Sequence, residues 1–217
     1  MRFRDRQEAG RQLAAPLRAL YDGGALPRPV VLALPRGGVV VALEVARELR
    51  APLDVLVVRK IGAPFQPELG VGALAGDEPP LYDRQNLQLL GLSEADLAPV
   101  VERERAELRR RERLYREGRP AADLSGRTAI VVDDGLATGA TARAALRAVR
   151  RSAPESVVLA VPVSSPEAAE LLRPEVDDLV CLSLPPDFRA VGLWYEDFEQ
   201  VSDDDVLRVL RVAPAQA

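Results

Sequence analysis

The sequence predicts an α/β fold in which a Rossmann-like, mostly parallel sheet is flanked by helices. Three observations carry this expectation. Short runs of Val, Ile and Leu alternate with longer stretches of helical periodicity. Two of those runs end in glycine-containing turns that open directly into helices, at Pro35-Arg36-Gly37-Gly38 and at residues 133–139. Of 217 residues, 47% are hydrophobic, enough for one core carrying a small appended part. A single domain over 1–217 is expected, with a long charged helical insertion at about 83–118.

The elements follow in order. Asp5, with Glu8 three residues on, marks a helix start, and Ala9, Leu13, Leu17 and Leu20 form its apolar stripe up to Gly23-Gly24. Residues 30–34 read as a buried strand, and a helix through Leu43, Val45, Ala46 and Leu49 follows the turn. A second strand at 53–58 completes a right-handed βαβ unit, hence parallel pairing. The glycine- and proline-rich stretch 62–80 is expected to be mobile loop, with only 69–74 resembling a strand. Ser93 and Asp96 then cap a long, mostly solvated helix with Leu97, Val101, Leu108 and Tyr115 near one face. The α/β rhythm resumes with a strand at 128–132, a helix at 138–151 and strands at 157–161 and 179–184.

Composition narrows the chemistry. The 29 basic and 33 acidic residues leave a net charge of -4, so no global field favours nucleic acid or an anionic membrane, and any phosphate site must be local. Neither is expected as a partner. With no histidine and one cysteine, Cys181, the chain lacks the usual zinc ligands and neutral-pH proton shuttle, which counts against zinc enzymes and triad hydrolases. Cys181 reads as a small buried apolar residue in a strand. The first residues are charged and amphipathic, and no apolar run approaches the roughly 20 residues that span a bilayer; a soluble, cytoplasmic protein is expected.

The strongest chemical signal is the strand that ends in Asp133-Asp134 and leads through Gly135-Leu136-Ala137 to Thr138-Gly139-Ala140-Thr141 at the mouth of an alanine-rich helix. Helix N-termini present unpaired amides and partial positive charge, glycine lets backbone approach an anion, and threonine adds hydroxyl donors. A phosphate monoester fits that cradle. Two adjacent carboxylates repel each other unless they accept from hydroxyls or organise a hydrated cation, and a ribose diol supplies such hydroxyls. An ordinary capped turn explains the threonine and glycine but not the acid pair. No lysine follows the glycine, against a P-loop.

This stretch resembles the motif by which type I phosphoribosyltransferases bind 5-phosphoribosyl-1-pyrophosphate (PRPP). The resemblance extends over about residues 30–200, with three motifs in family order, and implies the type I fold with a C-terminal hood at about 185–200 joined by the N-terminal helix. It implies that Asp133 and Asp134 contact the ribose hydroxyls and that Ala137 to Thr141 hold the 5-phosphate. Leu34-Pro35-Arg36-Gly37-Gly38 is similar to the family's pyrophosphate loop: Arg36 has the planar fork that binds phosphate oxygens, and the glycines permit unusual backbone angles. Arg59-Lys60 stands where the family places a basic residue before its catalytic loop, with Lys60 the favoured contact. Phe3-Arg4-Asp5-Arg6 and the run from Val191 to Phe198 resemble, more narrowly, a bacterial branch of predicted phosphoribosyltransferases.

In the hood, Phe188 is the preferred base stacker and Trp194 the second, with Val191 beside them; Trp194, Tyr195 and Phe198 suit packing the hood against the core better than ligand contact. The resemblance implies Mg²⁺ near Asp133, Asp134 and, through water, Glu196. It implies transfer of phosphoribosyl from PRPP to a nitrogenous base with release of pyrophosphate, Asp133, Asp134, Lys60 and Arg36 being the catalytic set, in a homodimer. The 6-oxopurine members place an aspartate before Thr-Gly where this chain has Ala137. Hypoxanthine and guanine are therefore disfavoured, and activation by the base's own acidity or by Glu68 stays open. The other reading is a PRPP- or nucleotide-binding regulatory module that catalyses nothing. The charged helix is read as a solvated arm with i to i+4 ion pairs, or as a lid or dimer contact.

Overall fold

The computed structural model describes residues 2–214, the Glu68 side chain excepted. Helix α1 (Arg6–Asp22) starts where the Asp5 carboxylate accepts the Glu8 N–H at 2.7 Å. It buries Ala9, Gly10, Leu13, Ala14 and Leu17. Strand β1 (Val30–Ala33), helix α2 (Gly37–Leu49) and strand β2 (Leu53–Val55) form the expected βαβ unit, with β1 and β2 parallel. Gly10 lets α1 approach α2 closely, since an added Cβ would meet the Val41 carbonyl oxygen at 2.7 Å.

The second strand is shorter than expected. After Leu56 and Val57 the chain leaves the main sheet and enters strands β3 (Val58–Ala63), β4 (Gln66–Ala75) and β5 (Leu81–Tyr82), a separate antiparallel sheet. The expected loop at 62–80 is therefore mostly strand. Its glycines serve close pairing: the register shifts around Gly62, where a side chain would collide with Pro67 backbone, and a Cβ at Gly72 would meet the Leu81 carbonyl oxygen at 2.7 Å. Ile61, Val71 and Leu74 are buried beneath it.

Helices α3 (Arg84–Leu90) and α4 (Glu94–Arg116) occupy the stretch expected as a helical insertion, and the Ser93–Asp96 capping box starts α4 as expected. Helix α4 is not a free arm. Leu97, Val100, Leu108 and Tyr115 are buried against the main core, and the Tyr115 hydroxyl donates to Asp203 at 2.6 Å. Its other faces carry the expected ion pairs, such as Arg111 with Glu107.

Strand β6 (Thr128–Val132), helix α5 (Ala140–Arg151), strand β7 (Ser156–Val163), helix α6 (Pro166–Leu172) and strand β8 (Asp178–Ser183) complete the α/β part, and helix α7 (Asp203–Arg211) closes the described chain. Helix α5 begins two residues later than expected, after Gly139, whose φ of 75° belongs to the left-handed region that glycine adopts readily. The main sheet has five parallel strands in the order β2-β1-β6-β7-β8. Side chains alternate between its faces. Val31, Ala33, Ile130, Val132, Val158 and Ala160 join the core under α1, α2 and α4, whereas Val30, Leu32, Ala129, Val131, Leu159 and Val161 join that under α5 and α6. Apolar continuity along these strands is thus the mark of a sheet covered on both sides.

Strand order reverses between β1 and β6, and the crevice outside the carboxyl ends of strands at such a point is where open α/β sheets take ligands. Both turns singled out in the sequence lie there. The hood folds over it from the C-terminal side, with a 3-10 turn at Val191–Trp194. It is tied to the N-terminal segment by a parallel bridge, Phe3 donating to the Trp194 carbonyl and Glu196 donating to the Phe3 carbonyl, both at 2.8 Å.

Candidate active site

The turn after β6 is held from behind. Leu136 is buried; its N–H donates to the Val163 carbonyl at 3.0 Å and its carbonyl accepts from Ser165 at 2.9 Å. The Ser165 hydroxyl also donates to the Ala137 carbonyl at 2.7 Å. Leu136 is therefore an anchor, its polar groups spent on the end of β7, while Ala137, Thr138, Ala140 and Thr141 are exposed around the start of α5. Gly139 offers no capping side chain and Thr138 Oγ1 accepts the Ala140 N–H only at 3.5 Å, so the first amides are weakly held and can turn to an anion.

The turn after β1 lies against the acid pair. Neither Gly37 nor Gly38 has positive φ, so unusual backbone angles are not why they are glycine. Close approach is the reason. A side chain on Gly37 would collide with the Asp134 carboxylate and come within 2.8 Å of Arg6 Nε; one on Gly38 would meet the Val132 carbonyl at 2.9 Å and Asp133 Oδ1 at 3.1 Å. The Pro35–Arg36 peptide is cis. Arg36 precedes α2 and, among the described residues, makes no side-chain hydrogen bond or ion pair. With Arg6, Gly37, Phe198, Gln200 and Val201 it lines a cavity of about 380 Å³.

The acids differ in their partners. Protein atoms crowd the Asp133 carboxyl, and burial first, then the neighbouring Asp134 charge, push it well above the usual carboxylate range. Asp133 Oδ1 accepts the Asp134 N–H at 2.8 Å. Asp134 Oδ2 accepts from Arg6 Nε at 2.7 Å, and the Asp134 carbonyl accepts the Tyr195 hydroxyl at 2.6 Å. Burial and the Asp134 charge raise the Tyr195 phenol far above its ordinary value, so it remains a donor.

Arg59 and Lys60 sit on β3 and, as neighbours in a strand, point to opposite faces. Arg59 turns to α4, giving Glu104 two hydrogen bonds at 2.9 and 2.7 Å. Lys60 is exposed. The hood candidates Phe188, Val191 and Trp194 pack, partly buried, against Phe3, Ala9, Val163 and Tyr195, and Val191 closes on Gly135, where a Cβ would meet its Cγ1 at 2.6 Å. The Trp194 indole Nε1 is buried without an acceptor among the described residues. Glu196 is exposed, its N–H held by Phe3. The Glu68 side chain lies outside the described part.

Residues 6–197, which include both turns, match the model of a phosphoribosyl transferase domain. This chain belongs to the phosphoribosyl transferase family. Its parallel five-stranded sheet flanked by helices is the α/β fold expected from the sequence. Among curated proteins, two from Mycobacterium tuberculosis, strains H37Rv and CDC 1551, provisionally named phosphoribosyl transferases, are 47% identical over 208 residues. That match covers 96% of this chain but 46% of each relative, so the chain spans about half their length. Among solved structures, TT1426 from Thermus thermophilus is 48% identical with a TM-score of 0.81, covering 97% of this chain and 98% of that one.

Arg6, Tyr195, Ser165 and Gly37's packing role were not evident from the motifs. Arg6 carried two signals: it stands in the Phe3-Arg4-Asp5-Arg6 run, and it is the first residue of α1, where helix polarity disfavours a cation. A residue set against a local rule points to a task elsewhere.

Proposed function

We propose that the chain transfers phosphoribosyl from PRPP to a nitrogenous base with release of pyrophosphate. The observation that carries this reading is the contact of the two turns across the β1–β6 switch point: Gly37 and Gly38 pack on Asp133 and Asp134, so a diol at the acids and a diphosphate at Arg36 would belong to one molecule. Asp133 and Asp134 accept from the ribose hydroxyls, and the amides and hydroxyls from Ala137 to Thr141 receive the 5-phosphate. Arg36 and Lys60 stabilise charge developing on the departing pyrophosphate. The remaining contribution is positioning of an incoming ring nitrogen behind C1 of the ribose.

Among the described residues, no group of three or more His, Cys, Asp or Glu side chains is placed to hold a metal ion. Mg²⁺ prefers oxygen ligands, keeps several waters and takes few carboxylates beside substrate phosphates. With Asp134 Oδ2 committed to Arg6, the donor set fits an ion carried chiefly by PRPP, with Asp133, Asp134 and Glu196 acting through water or substrate; when bound it would neutralise diphosphate charge. Ala137 keeps the preference against hypoxanthine and guanine. Among the described residues no helix is long and apolar enough to cross a membrane.

The test is pyrophosphate release and nucleotide formation from PRPP, Mg²⁺ and a panel of nucleobases. Release that depends on one base, and falls on the order of a hundredfold or more in Asp133→Asn/Asp134→Asn, is the expected result. Binding of PRPP without consumption across the panel would assign a regulatory module instead.

A further inference from the structure

Three stretches of chain, distant in sequence, meet on the guanidinium of Arg6. Nε donates to Asp134 Oδ2 at 2.7 Å and Nη1 to the Glu199 carbonyl at 2.8 Å, while the Phe198 ring centroid lies 3.8 Å from Cζ. The pair is largely covered, with 11% of the Arg6 side chain and 16% of the Asp134 side chain exposed, so water screens it less than a surface pair. The start of α1, the acid pair and the far end of the hood are thereby joined beside the cavity that Arg36 also lines.

Asp134 is held at three points. Its N–H donates to Asp133 Oδ1, its carbonyl accepts from Tyr195, and Oδ2 accepts from Arg6. Beyond its contact with the Asp133 carboxyl, the carboxylate takes no other donor among the described residues, so Oδ1 is held by neither backbone nor cation. The backbone bonds fix where the residue sits but leave χ1 and χ2 to choose which oxygen faces outward. Arg6 makes that choice, and Gly37, having no side chain, leaves room for it.

We propose that Arg6 is a positioning residue of the phosphoribosyl site, holding one carboxylate oxygen of Asp134 against the hood so that the other is presented to the ribose diol. This rests on the reading of Asp134 as a diol acceptor given above. It also accounts for a cation at the first position of a helix, which the helix itself does not favour. The opposite arrangement, in which Arg6 merely occupies Asp134 until sugar displaces it, predicts tighter PRPP binding when Arg6 is removed.

The experiment is calorimetric titration of PRPP with Mg²⁺ into the full chain, unmodified and as Arg6→Gln, Arg6→Lys, Asp134→Asn and the Arg6→Gln/Asp134→Asn double variant. Arg6→Gln is expected to weaken binding on the order of tenfold or more. Arg6→Lys should recover part of that loss, since it keeps the charge but not the planar fork. In the Asp134→Asn background the same Arg6→Gln change should alter affinity by less than about twofold. A merely structural arginine would give equal losses in both backgrounds, and that result, or unchanged or tighter binding by Arg6→Gln, overturns the assignment. Should Arg6→Gln not fold, Arg6→Lys in the two backgrounds carries the same comparison. Failure of the unmodified chain to bind PRPP would overturn the site reading itself, and the Arg6 role with it, before any variant is consulted.

Discussion

On one side of the cleft, residues 133–141 form a single run between β6 and α5, anchored through Leu136 and Ser165 to the end of the adjacent strand. The opposite wall is gathered from Arg6, Arg36 and Gly37, and Phe198 to Val201, stretches separated by most of the chain. The contiguous wall needs only its own strand and helix to take shape, because neighbouring backbone supplies its geometry. The gathered wall depends on α1, the hood and α7 all being in place, so it is the side on which distant perturbations should be felt.

The largest effect should come where the walls touch. Gly37→Ala puts a methyl group into the Asp134 carboxylate, and a displacement near 1 Å at this proposed diol acceptor is expected to lower the proposed turnover on the order of a hundredfold. Steady-state assays with a parallel melting curve check it; turnover within about threefold of the unmodified chain, at that level of effect, would show that the contact is not needed.

Next in size, Lys60→Ala should weaken PRPP binding by about tenfold, whereas Arg59→Ala, removing a side chain already paired with Glu104, should leave it within about twofold, as a distant site would. Equal losses in a titration would place both cations at the substrate and dissolve the distinction between the faces of β3.

Tyr195→Phe leaves the ring in the hood but removes the donor to the Asp134 carbonyl. About 1 kcal/mol of stability should be lost, together with a rise in KM for PRPP at nearly constant kcat. Urea unfolding and initial rates measure the two parts.

The smallest effect at neutral pH comes from Tyr115, whose bond to Asp203 pins the start of α7 just beyond Val201. Burial first, and then that carboxylate, raise its phenol from 10.0 to about 12. A phenol harder to ionise when folded stabilises the fold fully below pH 10.0 and loses that contribution as pH rises towards about 12. Urea midpoints for the unmodified chain and Tyr115→Phe should therefore converge or cross across that window, and midpoints that keep a constant gap would place Tyr115 titration outside it.

The contiguous wall was legible because its chemistry is written in consecutive residues: two acids, then Thr-Gly-x-Thr, after an apolar run. The parallel sheet was legible for a similar reason, since each strand's both-sided burial leaves an unbroken apolar stretch. The antiparallel sheet was not, because Gly62, Gly70 and Gly72 mark loops by composition although here two of them permit strands to pack against neighbouring backbone. Leu136 read as part of the phosphate turn, and nothing local reveals that its amide and carbonyl are taken by β7. Arg6 illustrates the general limit. Its partner lies 128 residues away, and no periodicity or capping rule connects them.

The strand order has a bearing on how the chain is made. Strand β1 ends at Ala33, and β6, which pairs along its other edge, starts at Thr128. At about 5–20 residues per second, β1 emerges from the ribosome roughly 5–20 s before that neighbour is synthesised. During this interval an edge of Val30, Val31, Leu32 and Ala33 is open to any other strand that passes. The segment translated last in the gap includes α4, dense in arginine and glutamate, and its charge gives the nascent chain solubility while its central sheet is still half built.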